Sequence, residues 1–176
     1  MNAQEIFELI QEKHPDQMVG TDLDALDPCI EVEPGAVADI CRTLKDDPQL
    51  CFDTLHCISG VDYCEPDEKK AAKVEWQPHT EVLYHVSSIK YKHRIVIRVR
   101  LPRWKDGIEG RLPEVPSVAG VWRAANWHER EVYDLSGVEF SGHPDLRRIL
   151  CADDWLGHPL RKDYTTPDEY HGIRTK

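Results

Sequence analysis

"EVLYHVSSIKYKHRIVIRVRLPR" (residues 81–103) decides the fold. It reads as two antiparallel strands joined by a short turn. In the second, Ile95, Ile97, Val99 and Leu101 alternate with Val96, Arg98 and Arg100. One face is therefore apolar and the other carries arginines, the pattern of a sheet covered on one side only. Working outward, "CFDTLHCISGVDY" (51–63) is β-branched and aromatic enough for another strand, and "PCIEVEPG" (28–35) predicts a short one closed by Pro-Gly. Two helices are expected upstream. One spans residues 3–13 with Ile6, Leu9 and Ile10 on one face; the other lies in "AVADICRTLKDDP" (36–48) with a stripe of Val37, Ile40, Cys41 and Leu44. Residues 65–80 are polar, hold two prolines, and predict a loop.

Downstream, Ser117 follows Pro116 and predicts a helix N-cap. Val118, Val121, Trp122, Ala125, Val132 and Leu135 recur at helical spacing, and Gly137 ends the run as a left-handed C′ residue. After Gly142 no hydrophobic period is long enough for a core element. The order α-β-α-β-β-β-α predicts an α+β fold: a two-layer sandwich with a mixed sheet and helices on one face. Residues 1–142 form the domain, and residues 143–176 an extended docking tail.

The 176 residues carry 31% charged and 40% hydrophobic side chains, and no apolar run approaches the length of a bilayer span. The start, "MNAQEIFELIQEKHPDQ", is acidic and amphipathic, unlike a signal or transit peptide, so a cytoplasmic location is expected, with membrane contact only through partners. The net charge of −10 is uneven. Residues 1–70 hold 17 acids and 5 bases, while residues 90–111 hold eight Lys/Arg against two acids. Opposite-sign faces suit docking to proteins better than binding nucleic acid. The six cysteines (Cys29, Cys41, Cys51, Cys57, Cys64, Cys151) match neither zinc nor cluster spacings.

The densest charge lies in "WHEREVYD" (127–134), "GHPDLRR" (142–148) and "PLRKDY" (159–164). Glu129 falls on the apolar helical face and requires a partner, for which Arg98, Arg100 or a tail arginine is expected. Trp127, Arg130 and Asp134, with Arg123 and Asn126, are placed on the opposite, solvent-facing side, where Trp beside Arg marks an interface. A metal site from His143, His158 and an Asp, or acid/base chemistry at Glu129, is the competing reading. No H-E-x-x-H, phosphate loop or nucleophile elbow supports it.

The run from Pro116 to Tyr164 closely resembles the 30-kilodalton subunit family of respiratory complex I, the proton-pumping NADH-quinone oxidoreductase. The residues that carry the likeness are Glu129, Arg130, Glu131, Asp134, Gly137, Phe140, Gly142, His143, Pro144, Asp145, Leu146, Arg147, Arg148, Ile149 and Leu150, followed by Pro159, Leu160, Arg161, Lys162, Asp163 and Tyr164. Ser136 departs from the family's bulky residue, and Ser141 from a frequent Glu. The resemblance implies a non-catalytic subunit of the hydrophilic arm on the cytoplasmic side, with no cofactor of its own. Its expected partners are the quinone-pocket subunit and the iron–sulfur subunits, where clusters, flavin and quinone would reside. An equivalent subunit of an energy-converting membrane hydrogenase or related dehydrogenase shares the signature. A free-standing metal-dependent hydrolase is the alternative of another class.

Overall fold

A computed structural model describes residues 1–175; Lys176, the last residue of the expected tail, lies outside the described residues. Helix α1 (Ala3–Lys13) begins with a capping box in which the Asn2 side chain accepts from the Glu5 N–H and the Glu5 carboxylate accepts from the Asn2 N–H. It buries Ile6 and Ile10. Strands β1 (Met18–Asp22) and β2 (Cys29–Val32) follow. A 3-10 turn at Pro34–Ala36 then opens α2 (Val37–Asp46), whose buried residues are Val37, Ile40, Cys41 and Leu44, the stripe read from the sequence. Then come β3 (Thr54–Tyr63), a single helical turn α3 (Glu68–Ala71) within the expected loop, β4 (His79–Ser88) and β5 (His93–Pro102).

The sheet order is β1-β2-β5-β4-β3. β2 runs parallel to β5 and the other neighbours are antiparallel, so the sheet is mixed as expected. Ile95, Ile97, Val99 and Leu101 of β5, Val82, Tyr84 and Val86 of β4, and Ile30 and Val32 of β2 are all buried in one apolar cluster with the helical stripes. Each such side chain contributes roughly 1.5–3 kcal/mol by leaving water. On the far face, Arg98 pairs with Glu31 at 2.9 Å, and Arg100 reaches Glu31 at 3.6 Å and Glu81 at 3.4 Å. The arginines thus serve neighbouring strands of their own sheet, not Glu129.

The last helix is shorter than the apolar spacing predicts. α4 covers Ala125–Ser136, and residues 117–124 form turns instead, with Val121 and Trp122 both donating to the Val118 carbonyl. Val118, Val121 and Trp122 are buried all the same. A turn that burrows into the core mimics helical spacing, and the Trp122 indole donates to the Phe52 carbonyl at 2.9 Å. Strands β6 (Glu114–Pro116) and β7 (Glu139–Ser141) pair in parallel and clamp the entry and exit of this segment. α4 packs on β3 where a Cβ on Gly60 would lie 2.8 Å from the Ser136 Oγ and from a Val132 methyl. The small Ser136, 4% exposed, lets the helix end approach the strand closely.

Residues 143–175 are mostly turns, with a small hairpin of β8 (Glu169–Tyr170) and β9 (Ile173–Arg174). Up to residue 163 they are tied to the domain. The Leu160 N–H donates to the Leu135 carbonyl at 2.9 Å, and the Lys162 N–H to Asp62 at 2.8 Å.

Candidate functional site: a charged framework around the last helix

Two carboxylates of α4, Glu129 and Asp134, are fully buried. The Glu129 Oε2 accepts from the Ser117 hydroxyl at 2.5 Å and its Oε1 from the Val118 N–H at 2.6 Å. The expected arginine is absent from this site, and Ser117, expected to cap a helix, instead ties the buried turn to α4. The His143 ring also closes over Glu129: its Nε2 lies 3.8 Å from Oε2, and neither side chain has any exposed surface. The Asp145 N–H donates to His143 Nδ1 at 3.0 Å, so the ring proton sits on Nε2, which donates to the Asn126 carbonyl at 3.1 Å. Burial pushes the Glu129 carboxyl up to about 7, and the two hydrogen bonds only partly oppose it.

Asp134 has a different environment. Its Oδ2 accepts the consecutive N–H groups of Ile149, Leu150 and Cys151 at 3.0, 2.7 and 2.9 Å. Its Oδ1 accepts from Arg148 at 2.7 Å. Burial disfavours the charge, but these donors outweigh it and hold the carboxyl at about 2. Arg148 also donates to the Gly157 carbonyl at 2.9 Å. Asp134 is therefore the post around which the chain turns after the family motif, and its predicted place on the solvent face is wrong. The same holds for Arg130, only 5% exposed, which donates from Nε to the Arg147 carbonyl at 3.4 Å. A helix face that looks polar in sequence is buried here because the following segment folds back over it. Trp127 does stand out, 65% exposed, with the Arg130 guanidinium 5.1 Å from its ring. Glu131 is exposed, as are Gly142, Pro144, Asp145 and Arg147, and Arg147 holds Asp145 at 3.1 Å.

Gly137 ends α4 at φ +70°, as its C′ reading requires, and its N–H donates to the carbonyls of Val132 and Tyr133. The position has a second constraint invisible in sequence: a Cβ there would lie 2.6 Å from the His158 ring. His158 Nδ1 sits 3.0 Å from the Asp134 carbonyl. Burial, with the charges of Arg148 and Arg161, keeps its imidazole below the usual range. His143 and His158 thus face different partners, and among the described residues no group of three or more His, Cys, Asp or Glu is arranged to hold a metal ion.

The "PLRKDY" stretch forms a second clamp. Arg103 grips Asp62 through two bonds of 2.7 and 2.9 Å and reaches Asp163 at 2.9 Å. Arg161 is buried, donates to the Arg103 carbonyl at 2.6 Å and stacks on Trp104 at 3.7 Å. Tyr164 packs its ring 3.2 Å from where a Gly157 Cβ would lie. Lys162 presents its backbone inward and is exposed. Asp62, Arg103, Trp104 and Ser117 were not singled out from sequence as members of this framework. Asp62 sits at the end of a strand and Arg103 just past one, and nothing local marks either as the anchor of a segment that lies 100 residues on from Asp62 and 58 from Arg103.

The family profile described as "Respiratory-chain NADH dehydrogenase, 30 Kd subunit" matches residues 30–170, which include every residue of this framework. The chain belongs to this family. It is 42% identical over 170 residues to the NADH-quinone oxidoreductase subunit of type C from Chlorobium phaeobacteroides, covering 96% of this chain and 92% of that protein. With the subunit of the same type from Roseiflexus castenholzii the identity is 40% over 154 residues, 88% of this chain and 79% of the relative. A chain in the structure of the membrane-bound sulfane sulfur reductase, an archaeal respiratory membrane complex, superposes with a TM-score of 0.68 at 25% identity, covering 92% of this chain and 85% of that one. The two relatives thus tie the sequence to one subunit type of the NADH-quinone enzyme, and the structural match carries the same fold into a further respiratory complex.

Proposed function

We propose that this chain is a structural, non-catalytic subunit of the hydrophilic arm of a membrane-bound NADH-quinone oxidoreductase, the machine that passes electrons from NADH through iron–sulfur clusters to quinone and couples this to proton translocation. The observation that carries the non-catalytic reading is the closure of Glu129 and Asp134. Both signature carboxylates are fully buried and hydrogen-bonded to donors of their own chain, so neither is presented to a substrate. Their hydrogen bonds organise the fold, and the fold presents Trp127, Glu131, Asp145, Arg147 and Lys162 outward. Exposed Trp and Arg are the residue types that carry binding energy at protein interfaces.

The partners in this reading are the quinone-pocket subunit and the iron–sulfur subunits, with clusters, flavin and quinone held by them and none by this chain. Among the described residues no helix is long and apolar enough to cross a membrane, which fits attachment through those partners on the cytoplasmic side. The 42% identity to an NADH-quinone oxidoreductase subunit, against 25% to the sulfane sulfur reductase chain, favours the NADH-quinone enzyme over a related complex.

The test is quinone reductase activity per assembled complex. Arg147→Ala and Trp127→Ala are expected to lower the amount of complex on a native gel while turnover per complex stays near normal. Normal assembly with turnover reduced by orders of magnitude would sink the structural reading. Stoichiometric iron or flavin in the purified chain would sink its cofactor-free part.

A further inference from the structure

The basic stretch of the sequence is neutralised almost everywhere except at one end. Between Glu81 and Asp106 there are seven Lys/Arg and no acid. Arg98 and Arg100 pair with Glu31 and Glu81, Arg103 with Asp62 and Asp163, and Lys105 with Glu114. Lys90, Lys92 and Arg94 remain, all exposed at the β4–β5 turn. Among the described residues no carboxylate lies in ion-pair range of Lys90 or Lys92, and Arg94 meets the Leu26 carbonyl at 3.3 Å and Asp27 at 3.3 Å, both side chains of that pair more than half exposed. The same turn exposes two apolar groups, Ile89 (71%) and Tyr91 (40%), with the Lys90 ammonium 4.6 Å from the Tyr91 ring centre.

Arg94 is also the rim of a cleft of about 270 Å³. Its lining includes Asp27, already paired with Arg94, together with Pro28, Val96, His85, Cys57 and His56, the last hydrogen-bonded to Ser87 at 2.7 Å. Val96, His85 and Cys57 are register neighbours across β5, β4 and β3, and Cys29 of β2 continues the row. They lie on the sheet face that the helices leave uncovered, opposite the apolar cluster. The volume is just below the ~300 Å³ lower end of small-molecule sites, and the site is open on one side, so it suits a protruding side chain better than a free metabolite.

We infer that this cleft and the adjoining basic turn dock an acidic segment of a neighbouring subunit, one apolar side chain entering the cleft and flanking carboxylates meeting Lys90, Lys92 and Arg94. The inference rests on the subunit reading above and adds a second contact surface, away from the α4 framework. Charge complementarity selects the occupant: exposed cations beside exposed apolar groups favour a partner bearing the opposite charge. A second copy of this net-acidic chain, or a soluble anion, is the competing occupant.

Two measurements on the purified complex decide it. A zero-length carbodiimide joins an amine directly to a carboxylate, and mass spectrometry is expected to find Lys90 or Lys92 linked to an Asp or Glu of another subunit. Alkylation of Cys57 by N-ethylmaleimide is expected to slow at least tenfold in the complex relative to the isolated full-length chain. The double variant Lys90→Glu/Lys92→Glu should lose the chain from the complex at lower salt. Cross-links only to a second copy, absence of any inter-subunit link from these lysines, or an unchanged Cys57 rate overturns the inference while leaving the subunit reading intact. A chain that enters no complex overturns both.

Discussion

Glu129 and Asp134 sit five residues apart on one helix, are both closed off from solvent, and are held in opposite protonation regimes, at about 7 and about 2. The difference lies in depth of burial and in the donors. Glu129 receives one hydroxyl and one backbone N–H. Asp134 receives three consecutive N–H groups and a guanidinium. Burial raises both carboxyls, more so at Glu129, which lies deeper among protein atoms, and the number and charge of the donors widen the gap. Asp134 is therefore a fixed anion that nucleates a turn, whereas Glu129 is poised to change charge near neutrality.

The largest effect should come from removing the anion. Asp134→Ala leaves three N–H groups without an acceptor and Arg148 without its counter-charge, at a cost of roughly 3–5 kcal/mol. Urea unfolding of the isolated chain measures it. A loss below about 1 kcal/mol would mean that the 149–151 turn reorganises freely and the contrast with Glu129 is not energetic. Next is Gly137→Ala, where the left-handed backbone alone costs about 1–2 kcal/mol and the His158 ring occupies the space of the new methyl. Adding His158→Ala should recover the steric part and none of the backbone part. Full recovery in the double variant would remove the backbone argument.

The pH dependence sharpens the comparison. Glu129 has a folded value above its ordinary one, so the folded state binds the extra proton between about 4.5 and about 7, and stability falls as pH rises through that window. The slope approaches one proton, about 1.4 kcal/mol per pH unit at its steepest. Asp134 has the opposite sign: its contribution is complete above its ordinary value of 3.8 and is lost as pH falls toward about 2. Glu129→Gln, which keeps an acceptor for the Val118 N–H, should flatten unfolding free energy between pH 5 and pH 7 and leave the acid limb unchanged. An identical slope in the variant would assign that window to another group. Smallest is Arg147→Ala. Its exposed pair with Asp145 is screened by water and should contribute little to folding, so a clear loss of Tm would move Arg147 from the docking surface into the fold.

Much of the fold was legible. The 81–103 alternation, the helical stripes of α1 and α2 and the Gly137 stop all reflect local backbone preference coupled to a single buried face, and each depends on residues within a few positions of one another. The start of α4 was misread because the Val118, Val121 and Trp122 spacing reports burial, and a buried turn produces the same spacing as a buried helix. The β1 strand escaped notice because, short, bulged and at the sheet edge, it buries no alternating face.

For the charged framework the boundary is sharper. That Glu129 is buried follows from its place in an apolar stripe. That its partner is Ser117 rather than an arginine does not, because a carboxylate accepts from any donor that long-range packing delivers. Asp134 and Arg130 read as surface residues because charge defaults to water, and they, like Arg161, are internal only because the segment after Gly142 folds back over α4 and β3. Sequence alone determined strands β2 to β5, the stripes of α1 and α2 and the family signature, since these depend on residues close to one another in the chain. Tertiary structure alone decided which donor meets which carboxylate, and hence which charges hold the chain together and which remain for a partner, because that pairing depends on where chain segments far apart in sequence come to rest.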